Sequence, residues 1–129
     1  MPLLTAAESI SVLRRLAPLQ QFRGRVPGTR DSVRWLELRP KFNGIELWVF
    51  DVDDVGTADH VDIAAFPPTS GSPPAFPVSI QATGAAAFEY AQSQFGALAG
   101  AWREPGQLPD DYAAFVRAQR PSTWTPEME

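Results

Sequence analysis

The order of hydrophobic patterns along this chain predicts an α+β fold. The expected architecture is an antiparallel sheet of about four strands, a meander, with an N-terminal helix and two C-terminal helices packed on it. Three observations predict it. Helical periodicity appears at both ends of the chain, β-rich runs fill the middle, and the links between those runs are shorter than the crossovers parallel strands require. At 129 residues the chain is read as one domain, 1–129, long enough to bury roughly two thirds of its unfolded surface.

Each element has a local reason. Thr5-Ala6-Ala7-Glu8 forms a capping box, in which each residue satisfies the other's backbone amide. Ile10, Leu13, Leu16 and Ala17 follow at helical spacing until Pro18 stops the pattern, so helix one is expected over 6–17. FRGRVPGTRD (22–31) reads as a basic loop punctuated by glycine and proline. SVRWLELR (32–39) is a strand. Asn43-Gly44 then suits a hairpin turn, and GIELWVFDVD (44–53) is its partner. Ile45, Leu47 and Val49 alternate with Glu46, Trp48 and Phe50, which suits a central strand. DDVGTAD is a turn, HVDIAAF (60–66) a third strand and PPTSGSPPAFP (67–77) a long loop. PVSIQAT is a short fourth strand at an edge. Phe88, Ala91, Phe95 and Leu98 mark one face of a helix of about 14 residues within 84–101. Pro109 opens a last helix, DDYAAFVRAQ, with acids at its positive end and Arg117 at its negative end.

Charge is unevenly spread. Residues 1–41 hold eight basic and three acidic residues, a net of +5, whereas residues 42–129 hold three against twelve, a net of −9. An acidic surface steers towards a basic partner and repels nucleic acid, so neither nucleic acid nor a membrane is an expected partner. The absence of cysteine excludes disulfides and thiol catalysis. No apolar run approaches the ~18 residues a membrane span needs, and no secretory signal opens the chain; a cytoplasmic bacterial protein is the expectation.

FDVDDVGT (50–57) resembles the opening of the catalytic site in haloacid-dehalogenase-like phosphatases. That resemblance implies Asp51 as nucleophile, Asp53 as proton donor and both as magnesium ligands. The surrounding pattern argues against it. Such enzymes need a doubly wound parallel sheet, but here hairpin-length links flank the strand, and the sole lysine, Lys41, lies upstream. Asp51, Asp53, Asp54, Asp59, His60 and Asp62 do not fit the calcium-loop pattern, and a lone histidine supports no zinc site or acid–base pair. No cofactor or metal is expected and no enzyme is predicted. Arg23, Arg25 and Arg30 are candidate phosphate contacts, without interleaved aromatics.

The last twenty residues, DDYAAFVRAQRPSTWTPEME, resemble the end of a family of bacterial immunity proteins that guard the producing cell against polymorphic toxins. Phe115, Arg120, Pro121 and Trp124 match its short helix followed by R-P-x-x-W. Leu108, Pro109, Asp111, Tyr112 and Phe115 also resemble a motif of the SUKH superfamily, which supplies immunity proteins too, but here the motif ends the chain rather than preceding the sheet. The resemblance implies a cognate toxin as partner and a stoichiometric, non-catalytic role, with the chain a monomer or weak homodimer. A binder needs opposite charge and aromatic anchors. The candidates are Asp51, Asp53, Asp54, Asp59 and Asp62, with Trp48 and Trp102 as anchors. Trp124 is expected to staple the tail to the body. The rival readings are a small acidic secretion chaperone or adaptor, and a magnesium-dependent phosphatase-like enzyme using Asp51 and Asp53.

Overall fold

The capping box starts the first helix, α1 (Ala6–Arg14), in a computed structural model that describes residues 4–126. The Glu8 amide donates to Thr5 Oγ1 (3.1 Å) and the Thr5 amide to Glu8 Oε1 (2.9 Å). α1 ends three residues before the expected Ala17. Leu16 adopts a left-handed φ of 62°, and the Leu16 and Ala17 amides return to the Leu13 and Val12 carbonyls (3.0 and 3.2 Å), a Schellman ending built without glycine.

The fold is α+β, with a four-stranded antiparallel sheet in the order β1 (Leu19–Arg25), β2 (Ser32–Lys41), β3 (Gly44–Asp53), β4 (Ser79–Gln81). One expected strand is replaced. Residues 60–66 form no strand; Ile63–Ala65 make a single 3-10 turn. The segment that runs along the far end of β3 is 67–69, where the Asp53 amide donates to the Pro67 carbonyl (2.8 Å) and the Thr69 amide to the Asp51 carbonyl (2.9 Å). Prolines are tolerated there because the pairing asks them only to accept.

The strand not expected is β1, whose second half falls in the stretch 22–31 read as a loop. Its polar Gln21 is buried because the carboxamide satisfies a neighbouring backbone, accepting from the Leu98 amide (2.8 Å) and donating to the Leu98 carbonyl (3.0 Å). A β-bulge at Arg23, between the Phe22–Trp35 and Gly24–Arg34 pairs, breaks the alternation a strand pattern relies on. Gly24 is required there. Its φ is 80°, and a Cβ would lie 2.7 Å from Trp124 Cβ.

The β2–β3 hairpin forms as expected, but its loop is Phe42-Asn43, closed by the Lys41–Gly44 pair. Gly44 is already in the strand. A side chain there would meet the Gln81 carbonyl oxygen at 2.6 Å, blocking β4.

Both faces of the sheet are packed. On one, Leu19, Leu36, Leu38 and Leu47 lie under α1 and α2 (Gly84–Phe95), with Val12, Leu13, Ala87, Ala91 and Trp102 in the same core. On the other, Phe22, Val33, Trp35 and Val52 lie under α3 (Leu108–Arg117), the 3-10 turn and Trp124. α2 starts at Thr83, whose hydroxyl accepts from the Ala86 amide (3.1 Å), and ends at Gly96, short of residue 101. Among the described residues, no helix is long and apolar enough to cross a membrane.

Candidate partner-binding face

The aspartates of the 51–62 turn do not form one patch. The Arg34 guanidinium forks onto the Asp51 carboxylate (2.7 and 2.9 Å), as their opposite positions on β2 and β3 dictate, and this raises the Arg34 pKa. The Asp54 side chain is only 5 % exposed and closes a structural network. It accepts from the Tyr112 hydroxyl and from Arg120 Nε (2.9 Å). Arg120 Nη2 also donates to the Gly56 carbonyl (2.7 Å), while the Gly56 amide donates to the Tyr112 oxygen (3.0 Å). Burial and the Asp54 carboxylate push the Tyr112 hydroxyl up to about 12.

Asp53 is half-buried, and Asp59 and Asp62 are exposed. These three carry the free acidity of the turn. Among the described residues no group of three or more acids or histidines is arranged to hold a metal ion.

Arg120 and Trp124 of the R-P-x-x-W tail both face inward. Trp124 is 1 % exposed and sits edge-on to Phe115 (6.1 Å, 89°) and Phe22 (6.0 Å, 67°). Left-handed Gln119 and Arg120 turn the chain back after α3, and Arg25 Nη2 holds the Arg120 carbonyl (2.5 Å). The tail is a clasp on the body. Trp102, named above as an anchor, is also 1 % exposed and packs against Phe88, so it presents no surface to a partner.

Trp48 is different. β2 and β3 place Trp35 opposite Phe50, Glu37 opposite Trp48, and Arg39 opposite Glu46, all on one face. Coverage by α3 reaches the Trp35 row and thins beyond it: Arg39, Glu46 and Trp48 are half-buried, and Ile80, opposite Glu46 on β4, is 47 % exposed. The three rings stack as a ladder, Trp35 on Phe50 (4.0 Å, 12°) and Phe50 beside Trp48 (6.3 Å, 16°). The Arg39 guanidinium lies 4.4 Å from the Trp48 ring centre, over the electron-rich face. Polar neighbours fix its edges: Glu37 pairs with Arg39 and accepts from Gln20 Nε2 (2.7 Å), while the Trp48 indole donates to Glu46 Oε1 (2.9 Å). Beside the ladder a cavity of about 190 Å³ is lined by Trp35, Arg39, Phe50, Phe66, Pro73 and Pro74. The 67–77 loop thus supplies one wall.

Arg39, Phe50 and Ile80 were not named as partner-binding residues from the sequence. The alternation of β2 and β3 put Arg39 and Trp35 on one side, but nothing in that alternation says where the covering helix stops. No protein-family model matches the chain, and no curated protein or solved structure matches it.

Proposed function

We propose that this chain is a non-catalytic protein of immunity type, which binds a cognate bacterial toxin and neutralises it by stoichiometric contact. The observation that carries the reading is the Trp48–Phe50–Trp35 ladder with Arg39 across it and a small cavity alongside. Tryptophan and arginine dominate binding energy at protein interfaces, particularly where a side chain enters a pocket and bordering contacts exclude water. A pre-stacked ladder loses little side-chain freedom on binding. Asp53, Asp59 and Asp62 supply steering charge for a basic target, which acts on association rate more than on affinity. The match of Phe115, Arg120, Pro121 and Trp124 to the immunity-protein ending supports the same role through the scaffold, since these residues hold the tail rather than meet a partner.

The test is co-expression with the product of the neighbouring open reading frame, followed by size-exclusion chromatography and calorimetry. A one-to-one complex weakened at least about tenfold by Trp48→Ala is the expected result. Asp53→Lys is expected to slow association and flatten its salt dependence. A folded neighbour that elutes apart from this chain overturns the proposal.

A further inference from the structure

At the end of the sheet away from the β2–β3 hairpin lies a cleft of about 140 Å³ with opposite chemistry to the rest of this acidic chain. It is lined by Arg23, Arg25, Arg34, Ser122, Thr123 and Trp124, with Phe95 and Pro27 completing its walls. Among the described lining residues there is no carboxylate. Among the described residues the acid engaged there is Asp51, through Arg34, so their three guanidinium groups against one carboxylate leave two positive charges.

Two of the lining side chains carry buried N–H groups with no acceptor among the described residues, Arg23 Nε and Trp124 Nε1. A buried donor left unmade costs more than a typical bond gains, so two at one cleft point to a ligand that accepts. Arg23 is the bulge residue of β1. Among the described residues its side chain makes one hydrogen bond, to a neutral group, Gln21 Oε1 at 3.3 Å, and burial lowers its pKa. The carbonyl end of α2, near Gly96, offsets part of that charge but gives Nε no acceptor. Phe95 lies beneath Arg34, its ring centre 5.5 Å away, and so holds that guanidinium in the wall.

We propose that this cleft binds a phosphoryl group, as inorganic phosphate or as the terminal group of a phosphate monoester. A tetrahedral dianion matches the two net charges. Its oxygens accept from guanidinium forks, an indole and two hydroxyls at once, the donor set that arginine-rich phosphate sites use. The volume admits one such group and is well below that of a whole-cofactor pocket. This site is independent of the ladder around Trp48 and of the partner proposed for it.

The experiment is calorimetric titration of the whole chain with inorganic phosphate, sulfate, O-phosphoserine and acetate. Saturable one-to-one binding of phosphate and sulfate, with acetate at least about tenfold weaker, is expected. Arg23→Gln is expected to weaken phosphate about tenfold, the loss of one charge-assisted contact, while Arg14→Gln and Arg117→Gln, exposed arginines elsewhere, leave it unchanged. Arg25 and Arg34 are avoided because they also hold Arg120 and Asp51. If Arg23→Gln fails to fold, the exposed pair Ser122→Ala/Thr123→Val reads the same site through its hydroxyls, with an expected loss of a few-fold. Phosphoserine binding at least as well as phosphate assigns the ester as ligand; exclusion of phosphoserine assigns the free ion. No saturable binding, equal binding of acetate, or equal losses in Arg14→Gln and Arg117→Gln overturn the site.

Discussion

One face of this sheet carries two regions built from the same strands and put to different uses. In the rows Val33–Val52 and Phe22–Trp35–Phe50, α3 and Trp124 lie over the strands, and Val33, Val52, Phe22 and Trp35 are buried. In the next rows, Gln20–Glu37–Trp48 and Arg39–Glu46–Ile80, the covering elements thin out and polar side chains edge the aromatic ring. Trp35 and Trp48 are both strand tryptophans on the same face, separated by one row. The difference teaches that an aromatic residue becomes core or contact surface according to what reaches over it, and that this is decided by an element about 60 residues further along the chain.

That contrast gives a graded set of tests. The largest effect belongs to the clasp: Trp124→Ala removes the ring between Phe22 and Phe115 and is expected to cost about 3–5 kcal/mol, read as a lowered urea midpoint. Next comes the network beneath the acidic turn. Asp54→Asn keeps the shape but loses the charge that Tyr112 and Arg120 meet, an expected cost of about 1–3 kcal/mol.

The same network sets an alkaline limit. Because Tyr112 has its folded pKa raised from 10.0 to about 12, its contribution is fully present below pH 10 and is lost as pH rises towards 12. Tyrosinate absorbance should show the Tyr112 step near 12, moving back down in Asp54→Asn. A step that does not move would mean that burial alone holds the proton.

The smallest stability effect is expected at the open rows. Trp48→Ala should cost less than about 1 kcal/mol in a urea titration, while abolishing most affinity for a bound partner. If Trp48→Ala instead destabilises the fold as much as Trp124→Ala, the two halves are alike and the open face is core.

Much of the architecture was legible locally. The capping box at Thr5, the β2–β3 hairpin, Pro109 at the start of α3 and the alternation of β3 each depend on residues within a few positions, and the structure forms all of them. β1 escaped because its apolar alternation is interrupted by a bulge at Arg23 and by a buried Gln21 whose partner is Leu98, 77 residues away. Residues 60–66 carried a strand pattern but found no strand to pair with, since 67–69 occupies that edge of β3.

The acidic turn divides in the same way. The sequence by itself determined the fold class, most element positions and the excess of acid after residue 41. Only the tertiary structure decided that Asp51 and Asp54 are held by Arg34 and Arg120 while Asp53, Asp59 and Asp62 keep open surface, that Trp102 and Trp124 are core while Trp48 is not, and that three arginines meet at one cleft. Periodicity reports which side of an element is apolar, whereas covering that side and pairing a charge are contacts between residues far apart in the chain, fixed only when the elements pack.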